Sequence, residues 1–363
     1  MSYVLAFAGF AALIILHEFG HFAAAKAVGM RVERFSLFFG PLLVKVRRGE
    51  TEYGIGPIPL GGYVKISGMN PMEELPDEIA PRSYYAQPVW KRVVVIAAGP
   101  AMNFLVAFLI LGVFYLATGN PTEQATNVVG VVNKDTPAAA VLKPGDRIVS
   151  VDGATGVQRE IDAIASHTCA VRPPVKGCRA ATPAVLVVQR GQERLRLSIY
   201  PRYDLTPPAR PRIGVAFNGE TVYAPQNVIQ AAGTSVSEMW YVTRTTVSTF
   251  GKLFVSAKAR SQVNSVVGAY DETSQAFAFD LGAAAFVLAI ISLSLAIVNL
   301  FPFLPLDGGH IFWALVEKVR GKPVSVAVMQ QSSFVGIALV ASVFLIGFTN
   351  DIHTLTNGGF HIR

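Results

Sequence analysis

The apolar residues of this chain gather into four long runs separated by polar stretches. They cover about 3–28, 93–118, 281–301 and 333–348. A helix that crosses a bilayer needs about 20 apolar residues, with ~17 as a lower bound. The first three runs meet that length, and the fourth is short but nearly free of charge. No basic stretch precedes the first run, and His17, Glu18 and His21 stand where a signal peptide would be cleaved. The first run is therefore expected to remain as a span.

The pattern changes between 119 and 280. Val128–Val132 is an apolar run of strand length, and Thr136-Pro137-Ala138-Ala139-Ala140 opens a short helix. Lys143-Pro144-Gly145-Asp146 is turn chemistry, Arg147–Val151 alternates as a strand, and Asp152-Gly153 reads as a hairpin turn. Val185–Val188 and Leu195–Ile199 flank a turn at Arg190-Gly191, and Ile213–Phe217 is a last strand. Cys169 and Cys178 lie in the irregular stretch between, either bridged or as two free thiols. Over 227–259 a helical period puts Val228, Val236, Met239, Trp240, Val247 and Phe250 on one broad face. Lys252, Lys258 and Arg260 make that segment too polar to span, so it is expected to be amphipathic. On the other side of span two, Leu43–Val46 and Tyr53–Ile55 flank Arg48-Gly49-Glu50 as a β-hairpin.

Composition sharpens this picture. Apolar residues make up 52% of the chain and charged residues 15%, against about 25% charged in soluble domains. This argues against an ordinary soluble enzyme and rules out a coiled coil or a disordered chain. The net charge of +7 comes without a long basic run or an aromatic-interleaved basic patch, so no nucleic-acid partner is expected. The charge instead sets topology and favours the lipid bilayer surface. Lys26, Arg31, Arg34, Lys45, Arg47 and Arg48 follow span one, and Arg82, Lys91 and Arg92 precede span two. Lys318, Arg320 and Lys322 separate spans three and four. Residues 29–92 and 311–331 are thus expected in the cytoplasm, with both termini and 119–280 outside.

The candidate chemistry is His17-Glu18-Phe19-Gly20-His21, an H-E-x-x-H on a helix. Residues four apart lie about 40° apart around a helix, so both imidazoles share a face and can hold one Zn²⁺. Glu18 beside them can take a proton from an attacking water and pass it to the leaving amine. A pair of buried histidines is the plain alternative. It is weak here, because each ionisable group in a span costs on the order of a few kcal/mol unless paired or hydrated. A catalytic zinc needs a third protein ligand. Asp307, His310, His353 and Asp280 are the candidates near the later spans. Asp307 stands out, because Pro302 and Pro305 break the third helix just before it and Gly308-Gly309 follow. Irregular backbone at membrane depth is tolerated only beside protein or a water-filled cavity.

Together, H-E-x-x-H in span one and Asn299-x-x-Pro302…Leu306-Asp307-Gly308 after span three resemble the site-2 protease family of intramembrane zinc metalloproteases. The resemblance covers nearly the whole chain. It implies His17, His21 and Asp307 as zinc ligands, Glu18 as catalytic base and Asn299 as a contact to substrate backbone. The second proline departs from the family pattern by one position. The stretch Gly145-Asp146-Arg147-Ile148-Val149-Ser150-Val151-Asp152-Gly153 resembles PDZ domains, which grip extended peptides and peptide C-termini at a sheet edge. Gly61-Gly62-Tyr63-Val64-Lys65 resembles the family's membrane-dipping β element, which implies Gly61, Gly62 and Tyr63 at the substrate. Gly99-Pro100 and Asn103 in span two also resemble a family motif, with packing and substrate contact both open for Asn103.

The expected fold is a polytopic α-helical membrane protein. It has four transmembrane helices, a membrane-associated β-hairpin and an inserted extracytoplasmic α+β PDZ domain. The expected divisions are a membrane core at 1–126 (hairpin region 35–66), a PDZ domain at 127–217, a linker with the amphipathic helix at 218–280, and a membrane core at 281–363. The expected activity is intramembrane zinc endopeptidase in the cytoplasmic membrane. The resemblance implies substrates such as pre-cleaved anti-sigma factors or remnant signal peptides. A non-catalytic PDZ scaffold and an ion transporter are the competing classes.

Overall fold

The computed structural model describes residues 1–70, 73–171, 174–205, 209–261 and 263–356. It divides into two compact units, one made of Met1–Gly119 with Gln226–Arg363 and the other of Asn120–Pro225.

The helical unit opens with α1 (Ser2–Ala27) and a four-stranded sheet of β1 (Val32–Phe39), β2 (Val44–Arg48), β3 (Thr51–Ile55) and β4 (Ile58–Ile66). The sheet order is β2-β3-β1-β4, with β1 and β3 parallel and the other pairs antiparallel. The expected hairpin is β2–β3, turning at Gly49 with a φ of 59°. Strand β4 contains Gly61, Gly62 and Tyr63 and forms one edge of the sheet, beside α1. Helix α2 (Val89–Thr118) starts after Pro88 and continues through Pro100.

The second unit supplies β5 (Asn120–Val132), β6 (Arg147–Val151), α3 (Val157–Ser166), β7 (Ala184–Arg190), β8 (Glu193–Ile199), β9 (Arg202–Asp204), β10 (Arg210–Arg212) and β11 (Val215–Ala224). Its main sheet runs β11-β5-β6-β7-β8, with β9 and β10 pairing separately. The period-2 pattern of β7 buries Ala184, Leu186 and Val188 against Val129, Ile148 and Val151, which is the core of the unit. Asp146 is buried and satisfied: its Oδ1 accepts from Arg190 Nε at 2.7 Å, and its Oδ2 accepts from Arg190 Nη2 at 2.7 Å and the Lys143 amide at 2.8 Å. Cys169 and Cys178 form a disulfide across 5.9 Å between Cα atoms.

The chain then returns to the helical unit with α4 (Val228–Lys252), α5 (Ala257–Arg260), α6 (Val266–Phe279), α7 (Leu281–Asn299), α8 (Asp307–Arg320) and α9 (Val326–Thr356). An Asn227–Gln230 capping box starts α4. Asp280 starts α7 by accepting from the Ala283 amide at 3.0 Å. Helices α1, α7 and α8 all pack on α2, and α4 packs on α2 and α7.

Several boundaries differ from those the sequence suggested. The fourth apolar run is the middle of the longer α9. Residues 357–363 of the expected core 281–363 lie outside the described residues. Helix α6, not expected at all, packs on α1 and α7, with Tyr270 Oη donating to the Tyr3 carbonyl at 2.8 Å. The amphipathic segment is two helices separated at Leu253–Ser256. Strand β11 runs to Ala224 and β5 begins at Asn120, so 120–125, expected in the first membrane core, and 219–224, expected in the linker, pair with each other as ladder. Asp152-Gly153 turns the chain, but only the Val151–Ala154 bridge follows before α3 begins, so it joins no hairpin. Among the described residues, four helices are long and apolar enough to cross a membrane: Ser2–Ala27, Val89–Thr118, Leu281–Asn299 and Val326–Thr354.

Candidate metal centre

His17 and His21 sit one turn apart on the face of α1 that meets α2 and α8, and both are buried. Asp307 is the first residue of α8, directly after the irregular segment 300–306, which contains Pro302 and the cis Leu304–Pro305 bond. The His17 Nε2 and His21 Nε2 atoms are 3.3 Å apart. Asp307 Oδ2 lies 3.2 Å from the first and 3.3 Å from the second. Among the described residues these are the three side chains that could together hold a metal ion.

Although Asp307 Oδ2 is within ion-pair distance of both rings, it is buried with no hydrogen bond of acceptable geometry. The three ligand atoms lie within 4.8 Å of one another. A tetrahedral ion with bonds of about 2.0–2.1 Å keeps its ligand atoms roughly 3.3–3.4 Å apart. The observed triangle has that edge, and two imidazoles with one carboxylate form a zinc-compatible donor set. The residues present therefore fit the ion.

Close helix approach makes the triangle possible. A side chain at Gly20 would strike the Ala98 carbonyl of α2, and one at Gly99 would occupy the space of the His21 ring. Gly308 and Gly309 are equally constrained, by the backbone of Leu300–Phe301 and of Phe303–Leu304. His21 Nδ1 donates to the Val95 carbonyl at 2.9 Å, which leaves Nε2 its lone pair. His17 Nδ1 faces the side-chain amide of the fully buried Asn103 at 3.1 Å. The helix that carries Asp307 is tied down by Glu317, which accepts from buried Arg92 of α2 at 3.0 and 2.5 Å. The Arg92 guanidinium also lies over the rings of Tyr84 and Tyr85, at 5.9 and 5.5 Å.

Glu18 follows His17 on α1 and stands against β4. A Cβ at Gly62 would come 2.9 Å from Glu18 Cγ and 3.2 Å from Ile14 Cγ2. Gly61 has a φ of 152°, and a side chain there would meet the Phe39 ring. Tyr63 stacks on Phe39 with ring centroids 5.9 Å apart and accepts from Arg34 at 3.0 Å through its hydroxyl. The edge of β4 away from β1 carries no strand among the described residues. Asn299 closes α7, half-buried, at the start of the irregular segment. His310 lies in the first turn of α8, His353 near the end of α9, and Asp280 caps α7; none joins the three-atom group. The motif reading found the three converging side chains but not Val95 and Arg92. Gly99 ahead of Pro100 was the available signal for helix contact at that level.

Helices long and apolar enough to cross a membrane, with two histidines and an aspartate whose ligand atoms lie within 4.8 Å of one another, define a candidate metal-binding protein of the membrane. The model of Peptidase family M50 matches residues 5–343, and the chain belongs to that family. It is a multi-pass membrane protein. A relative from Nostoc sp. described as a "putative zinc metalloprotease" is 32% identical over 95% of this chain and 95% of its own. One from Rhizobium meliloti with the same description is 31% identical over 94% of each. A solved PDZ domain of an SdrC-like protein from Listeria monocytogenes is 23% identical, covering 26% of this chain and 90% of its own, at a TM-score of 0.21.

Proposed function

We propose that this protein is an intramembrane zinc endopeptidase that cuts the membrane spans of tethered proteins. The observation that carries the proposal is the His17–His21–Asp307 triangle, with two of its members on a helix apolar enough to cross a bilayer. These three residues hold the zinc. When bound, the ion polarises the scissile carbonyl and acidifies water. Glu18 is the base: its carboxylate takes the proton of the attacking water and returns it to the leaving amine nitrogen. Asn299 and the open edge of β4 position the substrate. A peptide bond can be attacked only when its helix has unwound, and an extended segment then finds main-chain partners along Gly61–Tyr63.

The unit at 120–225 acts as a PDZ domain outside the cytoplasm. It docks peptide C-termini or restricts the size of the substrate's outer stub. The substrates are membrane-tethered regulators already clipped outside, such as anti-sigma factors, or signal-peptide remnants. The protein resides in the cytoplasmic membrane with both termini outside, as the distribution of Lys and Arg supports.

Glu18→Gln tests this reading. Purified full-length protein and the variant are compared for zinc content and for cleavage of a transmembrane model substrate. The expected result is equal zinc and turnover lowered by about 10²–10⁴-fold. Undiminished cleavage by the variant sinks the assignment of Glu18. A wild type that binds substrate yet never cuts it favours the scaffold, and metal-dependent ion flux favours a transporter.

A further inference from the structure

Two histidines face the metal centre, and each must present Nε2 as a bare lone pair. For His21 the condition is met by a backbone group, since Nδ1–H donates to the Val95 carbonyl. For His17 the partner is a side chain, the amide of Asn103 on α2, at 3.1 Å from Nδ1. With the amide nitrogen toward His17, Nδ1 accepts and Nε2 carries the proton, so Nε2 cannot be a ligand. Asn103 Oδ1 is then a fully buried oxygen with no partner. A half-turn about the Cβ–Cγ bond exchanges the two amide groups at nearly no cost in shape. Oδ1 then accepts from Nδ1–H, and the orphan oxygen and the missing lone pair are both resolved.

We propose that Asn103 is a positioning residue of the metal centre: its Oδ1 accepts from His17 Nδ1–H and holds His17 in the tautomer that leaves Nε2 free. This rests on the zinc reading above. Asn103 is held for the task, because its backbone carbonyl accepts from Ser292 Oγ of α7 at 3.0 Å, which ties α2 to α7 at this level. The side chain is buried against α1, so it acts on the metal through His17 and not by touching substrate. It also gives Asn103 a role different from both packing and substrate contact.

The test is zinc affinity of the detergent-purified full-length chain, measured by competition with a chromophoric chelator. Wild type is compared with Asn103→Leu, Asn103→Asp and His17→Ala. Leucine has similar volume and no acceptor, so zinc should bind about 10–100-fold more weakly. Aspartate can only accept, so it should restore affinity to within a few-fold of wild type. Cobalt loaded in place of zinc should give the same absorption bands in wild type and Asn103→Asp, and altered bands in Asn103→Leu. Wild-type affinity in Asn103→Leu overturns the proposal. So does an Asn103→Asp protein as weak as the leucine variant, because the amide nitrogen would then be the essential group. Undiminished affinity in His17→Ala, or no zinc in wild type, instead removes the metal centre on which the proposal rests.

Discussion

Two aspartates, one in each unit, show how differently the same side chain is used: Asp146 is buried, and Asp307 is partly buried with its Oδ2 out of reach of solvent. Asp146 in the β-rich unit has both oxygens occupied, by two Arg190 nitrogens and the Lys143 amide. Asp307 in the helical unit has an oxygen with no hydrogen bond, aimed between two ring nitrogens at 3.2 and 3.3 Å. Both follow a proline-containing stretch at the start of regular structure, Asp146 just before β6 and Asp307 as the first residue of α8. Burying a carboxylate is costly unless its lone pairs are used. Asp146 uses them locally, on a cation and a backbone amide, so its role is complete within the fold. Asp307 leaves one lone pair directed at a point that its neighbours also address. Burial alone therefore does not mark a functional acid; unsatisfied convergence does.

The sharpest way to break this comparison is to remove each carboxylate in turn. Asp307→Ala takes away one of three ligands, so zinc affinity should fall by more than about 100-fold, beyond the effect of losing an outer-shell partner. Cleavage should vanish with it, while protection of 120–225 against hydrogen exchange stays as in wild type. Zinc retained at full affinity would refute Asp307 as a ligand and bring His310 forward. Asp146→Ala should do the opposite. The lost charged hydrogen bonds should weaken the 120–225 unit by about 1.5–3 kcal/mol, read from exchange in the full-length protein. Zinc affinity should be unchanged. The Arg190 guanidinium beside Asp146 holds its carboxyl below the usual carboxylate range. Its stabilising effect is therefore complete above the ordinary Asp value of about 3.9 and fades as pH falls below it. Protection of this unit that is flat through acid pH would contradict that.

How much could be read from the chain follows the same division between local and non-local. The His17–His21 pair was legible because i,i+4 geometry is a property of one helix. Asp307 was legible because prolines and glycines around it announce an irregular backbone. The partners on α2 were not assigned, because whether Val95, Gly99 and Asn103 meet α1 depends on the register of two helices, which no local pattern encodes. Asn103 had been noticed, but its contact with His17 had not. Apolar runs understated α9, since Gln330, Gln331, Ser332 and Ser333 are polar yet continue the helix. They missed α6, whose Asp271-Glu272-Thr273-Ser274-Gln275 stretch reads as loop. Helix α3 was also missed, although Glu160 and Ile164 repeat at helical spacing and are both buried. In the β unit, alternation carried β6, and the turn at Arg190-Gly191 carried β7 to within a residue or two. The outer stretches of β5 and β11 lack alternation, and were read as part of the first membrane core and as linker.

The smallest effect expected belongs to a third carboxylate, which tests whether full pairing alone confers stability. Glu50, in the β2–β3 turn, accepts from Lys26 at 2.6 Å and from Arg82 at 2.8 and 2.9 Å. It is as well partnered as Asp146 but keeps 29% of its side-chain surface exposed. Hydrogen bonds from Arg82 and Lys26 lower its pKa to about 2. The stabilisation is thus complete above the ordinary Glu value of about 4.3 and is lost as pH falls toward about 2. Water and salt screen an exposed cluster, so Glu50→Gln should cost less than about 1 kcal/mol at neutral pH. That loss should shrink in ~1 M salt, where the Debye length is about 3 Å. The Asp146→Ala loss should hardly respond to salt, because Asp146 is out of reach of ions. If Glu50→Gln proves as costly and as salt-insensitive as Asp146→Ala, the number of partners and not burial sets the strength of these sites. The contrast would then rest on pairing alone, with Asp307 set apart only by the bonds it does not make.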